Sequence, residues 1–321
     1  MQKTWLEVGK VNKQTAGKTK FQLAVKDILR DRYLYLLAVP GILYFLIFKY
    51  VPMGGILIAF QDYSPYQGFL HSKWVGLENF ERFFLGSEFW NLFRNTMMIS
   101  LLNLVFFFPV PIIVSLLLNE VRNMKFKTMI QSIVYLPHFF SWVIIAGMTF
   151  LLFSRTGGVI NNVVAMMGFE KIDFLTNPNY FWIMLTLQSI WKEAGWGTVI
   201  FLAAIAGTDP ALYEASKMDG ANRLHQMWYV TLPSIRNVVI TLLILRLGQV
   251  MDVGFEQVYL MTSSAVSSVS DVFETYVFRM GVKNGQFSFT TAVGLFKSVV
   301  ALILVVSTNW LAKKFGEDGL Y

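Results

Sequence analysis

The chain has 321 residues, of which 55% are hydrophobic and 15% charged, with a mean hydropathy of +0.51 and a formal net charge of +7. Soluble domains carry about 25% charged residues, so this deficit, concentrated in long apolar runs, excludes an ordinary soluble fold and indicates a polytopic membrane protein. Cysteine is absent, which excludes disulfides and thiolate chemistry, and the three histidines (His71, His138, His225) lack helical ligand spacing, so no metal site is expected.

Residues 1–32 are polar and lysine-rich, with no apolar core followed by a small-residue cleavage site. They read as a solvated basic tail and not as a signal peptide. Ala16-Gly17-Lys18-Thr19 has the ending of a phosphate-binding loop, but that loop needs a glycine where Asn12 stands, and a strand before it. No nucleotide site is expected.

A helix needs about 20 mostly apolar residues to cross the hydrocarbon. Six segments qualify: 33–60, 95–118, 129–153, 180–206, 234–258 and 289–312. Together, 33–312 form one six-span domain, and 313–321 a short C-terminal tail. The first span carries Lys49, Pro52 and Gly54-Gly55 near its far end, where a kink or unwinding is expected. The following loop, YSPYQGFLHSKWVGLENFERFF (63–84), has turn signals at Ser64-Pro65, Gly68 and Gly76 and an amphipathic helix start near Leu77. The fourth span contains Gly195 and Gly197, which suit close helix packing more than approach to a ligand.

Lysine and arginine set the orientation. With the N-terminus in the cytoplasm, eight lie before residue 33, three at 119–128, three at 207–236 and two at 313–314, giving sixteen inside against seven outside. Both termini are therefore expected in the cytoplasm. The positive net charge reads as a topology signal and as attraction to anionic lipid, not as nucleic-acid binding.

Between the fourth and fifth spans, residues 209–233 are too polar to cross a membrane. Asp209 suits an N-cap and Pro210 a first helical position. Leu212, Ala215 and Met218 recur at helical spacing, and Gly220 supplies a positive-φ stop. A second short helix is expected from about Ala221 to Val230, ended by Pro233. A lone helix this short is unstable in water unless its apolar stripe docks, either on another protein or on this chain's own helix ends.

The spacing of this hairpin has a counterpart. Glu214-Ala215-Ser216, three residues, Gly220, nine residues and Val230-Thr231-Leu232-Pro233 resemble the EAA loop of binding-protein-dependent ABC importer permeases. Ser216 and Val230 depart from that pattern, by small or isosteric changes that keep the hairpin possible. Tyr50-Val51-Pro52, Ala59-Phe60, Asp62-Tyr63, Val75-Gly76-Leu77-Glu78-Asn79-Phe80 and Asn95-Thr96 resemble the first two spans and first external loop of carbohydrate permeases.

The resemblance implies an all-α, type I permease subunit in the bacterial cytoplasmic (inner) membrane. Its partners would be a second homologous permease, two ATPase subunits and an external solute-binding protein. The branch it most resembles handles oligosaccharides, including acidic ones derived from alginate or pectin. ATP and Mg would be bound by the ATPases, with no cofactor and no enzymatic activity on this chain. Glu214, Ala215, Ser216, Asp219, Gly220, Leu232 and Pro233 would then couple ATPase closure to the membrane helices.

Ionisable groups at bilayer depth are costly and face a cavity or one another. Gln188, Lys192 and Trp196 in the fourth span, and Gln249, Asp252 and Glu256 in the fifth, recur at spacings of three and four. Such stripes suit a pyranose, whose faces are apolar and whose rim hydrogen-bonds. They are the expected solute-pathway residues, with interhelical pairing as the competing reading of each charge. A rival function is an ion-coupled secondary transporter relaying protons or sodium through Glu193, Asp252 or Glu256, which leaves the hairpin without a task. An intramembrane enzyme would need a nucleophile–base or metal constellation, and none is present in the sequence.

Overall fold

The computed structural model describes residues 30–314, 316 and 319. Residues 1–29, with Asn12 and the Ala16-Gly17-Lys18-Thr19 stretch, lie outside the described residues, as do residues 315, 317, 318, 320 and 321. The chain divides into two units, Met1–Leu57 and Ile58–Tyr321.

In the first unit a helix runs from Arg32 to Phe45, passes into a π turn at Leu46–Tyr50 and a short turn at Val51–Met53, then tightens to a 3-10 segment from Gly54. The expected distortion at its far end is present. None of the side chains from Arg32 to Met53 is buried, and the exterior is leucine- and aromatic-rich, a surface matched to hydrocarbon.

Three π turns follow one rule. Leu46–Tyr50, Asn103–Phe107 and Met227–Thr231 each end two residues before a proline: Pro52, Pro109 and Pro233. A proline ring clashes with the carbonyl four residues back, and widening the preceding turn relieves that clash without ending the helix. Pro233 consequently does not end the second short helix of the hairpin, as the sequence reading expected. Helical backbone runs through it from Arg223 to Ser234, and the break comes at Ile235.

Arg32–Phe60, Phe89–Asn119 and Phe287–Lys314 are each long and apolar enough to cross a membrane. Three bent pairs also qualify: Met124–Phe139 with Trp142–Phe153 at 102°, Pro178–Ala206 with Pro210–Met218 at 73°, and Arg223–Ser234 with Arg236–Gly248 at 60°. Counting each pair as one span gives six. Among the described residues, the strands are one antiparallel pair, Gln61–Asp62 with Lys73–Trp74, so the fold is all-α as expected.

Two spans differ from the sequence reading. The third, expected as a continuous 129–153, breaks sharply after a 3-10 turn at Leu136–Phe139. Pro137 disrupts the ladder there, and Ser141 caps the next helix by accepting from the Ile144 amide at 3.3 Å. The fifth, expected as 234–258, stops at Gly248. Residues 249–254 are irregular, Gly254 adopts φ +91°, and a new helix runs from Phe255 to Met261. Neighbouring side chains make that break tolerable: the Ser100 hydroxyl donates to the Val250 carbonyl, which the helix no longer satisfies.

The second unit packs around three apolar clusters. One joins Ile99, Phe181, Leu185, Val258 and Met261. Another is largely aromatic, with Phe83 in edge contact with Phe89, Phe273, Phe289 and Phe296. The third joins Leu116, Phe201, Ile205 and Ile235.

Polar ties gather the connections. Asn79 donates to the Ala59 and Gln61 carbonyls at 3.0 and 3.1 Å, and Phe80 packs on Phe60. The 75–80 motif thereby fixes the loop to the end of the segment before it. Gly68 and Gly76 take the positive φ their turns require. Buried Asn95 donates to the carbonyls of Ser268 and Asp271, the Tyr63 backbone amide to the Ser288 hydroxyl, Arg82 to Gln286, and Trp182 to the Val269 carbonyl. These contacts bring the loops around 61–84, 155–182 and 262–288 to one end of the second unit. In the same end, Arg279 pairs with Asp271, and that hydrogen bond holds the guanidinium above its usual pKa. The segments near 120 and 209–235 meet at the other end through Arg223 and Glu120.

Candidate functional site

A cleft of about 330 Å³ opens among the helices of the second unit. Phe107, Trp142 and Trp196 give it aromatic faces, Asn103, Ser189 and Gln257 give it amide and hydroxyl groups, and Glu193, Arg246 and Asp252 give it charge. The two breaks described above build it. Trp142 follows the 140–141 break, and Asp252 and Gly254 belong to the 249–254 break. A second hollow of about 250 Å³, at Ile145, Met148, Leu152 and Leu187, is largely apolar and has little polarity to orient a solute.

One wall is held by a compact polar cluster. His138 Nδ1 lies 2.7 Å from Glu193 Oε2, and its ring stacks on the Trp196 indole at 4.6 Å with an interplanar angle of 4°. Lys192 Nζ donates to the His138 carbonyl at 2.7 Å, lies 3.2 Å from Glu193 and sits over the Trp142 ring. The cluster ties the long helix Pro178–Ala206 to the proline break. Two glycines permit the approach: a Cβ on Gly195 would fall 2.0 Å from the Val134 carbonyl oxygen, and one on Gly197 would fall 3.0 Å from the Pro111 ring. Both glycines serve helix packing, although Gly197 also borders the cleft.

The six expected pathway residues are not brought together. Trp196 and Asp252 line the cleft. Gln188 is buried, donates to Thr149 at 2.8 Å and accepts from Gln257 at 3.1 Å, so its amide holds helices together. Lys192 is buried behind the wall. The expected stripe of Gln249, Asp252 and Glu256 does not form, because the helix ends at Gly248. Gln249 caps that helix, Asp252 lies in the break with its carboxylate 3.3 Å from Lys297, and Glu256 is exposed in the first turn of the next helix. Gln257, one residue on, is the side chain that turns inward.

The hairpin has the expected punctuation. Asp209 accepts from the Ala211 amide at 2.9 Å and caps the helix Pro210–Met218. Gly220, at φ +80°, ends it, with Ala221 N–H donating to the Ser216 carbonyl at 2.9 Å. Asn222 caps the helix that follows. Its root is anchored: Met227 and Leu232 pack on the third apolar cluster, and the Tyr213 hydroxyl meets Thr231 at 3.0 Å. Its outer face is not covered. Leu212, Glu214, Ala215, Asp219 and Gly220 are exposed, and Met218 is 89% exposed. Of the expected coupling residues, Leu232 therefore packs the root with exposed Pro233 beside it, Ser216 donates to the Tyr213 carbonyl, and Glu214, Ala215, Asp219 and Gly220 lie on the open face.

The family model for the binding-protein-dependent transport system inner membrane component matches residues 108–317. The chain belongs to this family. Protein LplB of Bacillus subtilis is 53% identical over 96% of both chains. The polygalacturonan/rhamnogalacturonan transport system permease protein YteP of the same organism is 52% identical over 95% of both. A chain from the crystal structure of a bacterial alginate ABC transporter, in complex with alginate pentasaccharide-bound periplasmic protein, superposes with a TM-score of 0.85 at 38% identity. It covers 92% of this chain and 99% of its own.

The chain is thus an ABC-type permease of the inner-membrane, multi-pass kind, and its relatives are transport permeases rather than enzymes. Within this permease, sequence reasoning gave no place in the cleft to Phe107, Trp142, Arg246 or Gln257. The proline at 137 and the glycines at 248 and 254 were the signals for the two breaks that expose them.

Proposed function

We propose that this chain is the membrane subunit of an ATP-driven importer that carries oligosaccharides, of the uronate-containing type, into the cytoplasm by alternating access. The observation that carries this reading is the cleft itself. Two indoles and a phenyl ring face amide, hydroxyl and charged groups, as a pyranose with apolar faces and a polar rim requires. Family membership and the names of the relatives support an oligosaccharide solute. The uncovered stripe of the hairpin supports seating on an ATPase subunit, and the match to a transporter caught with its periplasmic protein supports an external binding protein as donor. A second permease would complete the pathway.

The test is uptake of labelled oligogalacturonate into proteoliposomes holding the co-purified complex. Uptake should require ATP and persist when ion gradients are collapsed. ATP-independent uptake that follows the proton or sodium gradient would instead favour the secondary-transporter reading. Trp196→Ala should lower uptake about tenfold, the scale of one lost aromatic platform, while the ATPases still co-purify. Unchanged uptake in that variant would remove Trp196 from the pathway.

The same reading places both termini and the hairpin in the cytoplasm, supported by the charge asymmetry of sixteen against seven. Reporter fusions at Lys125 and Lys217 should read cytoplasmic, and those at Lys73, Lys171 and Lys283 external. An external signal at Lys217 would put the hairpin on the wrong side for an ATPase.

A further inference from the structure

We infer that Arg246 is the residue that selects for acid in the solute, its guanidinium receiving a sugar carboxylate inside the cleft. This rests on the cleft being the solute path, and it follows from charge pairing along the walls. Glu193 has His138 at 2.7 Å and Lys192 at 3.2 Å. Asp252 has Lys297 at 3.3 Å, which also meets Glu274 at 3.3 Å. Each acid facing the cleft is therefore already matched with a base. Arg246 is different: among the described residues no carboxylate forms an ion pair with it. Its guanidinium lies over the Phe107 ring, 5.4 Å from the centroid. Of the charged side chains that border the cleft, Arg246 is thus the one without an ion-pair partner among the described residues.

An unpaired arginine at bilayer depth is expensive, and such a group faces a polar cavity or a ligand. Arg246 stands in the last turn of the helix Arg236–Gly248, where the carbonyl end of the helix favours a cation. No side-chain hydrogen bond of Arg246 is found among the described residues, and a guanidinium fork with free donors takes a carboxylate in two parallel hydrogen bonds.

A second observation points the same way. Asn103, which lines the same cleft, is 3% exposed, and its Oδ1 is buried with no hydrogen-bond partner among the described residues. A buried acceptor without a donor is costly. A sugar hydroxyl that displaces the packing over Oδ1 would supply that donor. Trp142 and Trp196 border the same space and offer faces to the ring.

The experiment is a binding comparison on the whole transporter in nanodiscs, without the external binding protein, so that the permease alone sets selectivity. The probes are the α-1,4-linked galacturonate trisaccharide and its carboxyl-reduced galactose counterpart, titrated by saturation-transfer NMR. Wild type should prefer the acidic trisaccharide. Arg246→Gln should weaken the acidic probe about tenfold or more, with the neutral probe nearly unchanged. Arg246→Lys should keep part of the preference, since charge remains without the fork. An acid preference that survives Arg246→Gln overturns the inference and leaves the cleft as the solute path. Equal loss for both probes also overturns it, by making Arg246 a packing residue on Phe107. Wild type binding neither probe while proteoliposome uptake proceeds would place the solute elsewhere and remove the inference with the cleft.

Discussion

Gly195→Ala should cripple the folded transporter more than its single methyl suggests. The added Cβ would lie 2.0 Å from the Val134 carbonyl oxygen, 2.6 Å from the Val134 carbonyl carbon and 3.1 Å from the Tyr135 Cα. These are backbone atoms of a neighbouring helix, so no rotamer change makes room, and one helix must move. Overpacking of this kind costs about 1–3 kcal/mol in well-packed interiors. The shift would occur beside Lys192 and Glu193, whose bonds to the 138 region hold the Trp196 wall of the cleft. The expected result is a lower yield of assembled complex, an unfolding midpoint several degrees lower in detergent, and reduced uptake per assembled complex. Gly197→Ala, which meets only the edge of the Pro111 ring at 3.0 Å, should cost less. Equal thermal stability of Gly195→Ala and wild type would mean that the two helices do not approach as closely as described.

Gly220→Val should produce the opposite pattern, with normal stability and failed coupling. The site is open, with no atom within 4 Å of an added Cβ, so sterics with neighbours contribute nothing. The cost is conformational: φ is +80°, where a residue with a β-carbon loses about 1–2 kcal/mol and a branched one more. The chain can escape that strain by rotating φ to a negative value. Doing so breaks the Ala221–Ser216 and Gly220–Lys217 hydrogen bonds that end the first short helix, and changes its angle to the helix starting at Arg223. Leu212, Ala215 and Met218 then no longer present one stripe. If that stripe seats in an ATPase cleft, a distortion of this size lowers docking on the order of tenfold. Substrate-stimulated ATP hydrolysis and uptake in proteoliposomes should fall together, while the unfolding midpoint stays near wild type because no span is touched. Gly220→Asn, which tolerates the left-handed region, should retain most of both activities. Normal coupled transport by Gly220→Val and by Glu214→Lys would reduce the hairpin to a folded connector.

The hairpin was legible in the sequence because its signals are local. Asp209 before Pro210 and Gly220 at the stop each act within four residues, and each does what its chemistry predicts, whereas the Asn222 cap of the next helix was not read from the sequence. The membrane class, the number of apolar segments and the turns at Gly68 and Gly76 were legible for the same reason. The motif around Asn79 and Asn95 was visible only as a pattern; its task, tying loops to carbonyls as far as 176 residues away, belongs to the tertiary fold.

The cleft could not be read by helical periodicity, because periodicity presumes a continuous helix. Extending the fifth span through 249–254 aligned Gln249, Asp252 and Glu256 on a stripe that the break at Gly248 removes. Whether a Gly or Pro ends a buried helix depends on what satisfies the carbonyls it frees, here the Ser100 hydroxyl from another span. Charge assignment met the same limit. By sequence, Lys192, Glu193, Arg246, Asp252 and Lys297 are equivalent intramembrane charges. Packing divides them into pairs that hold helices and one guanidinium left facing open space, since pairing is decided by distances across helices that no single segment contains.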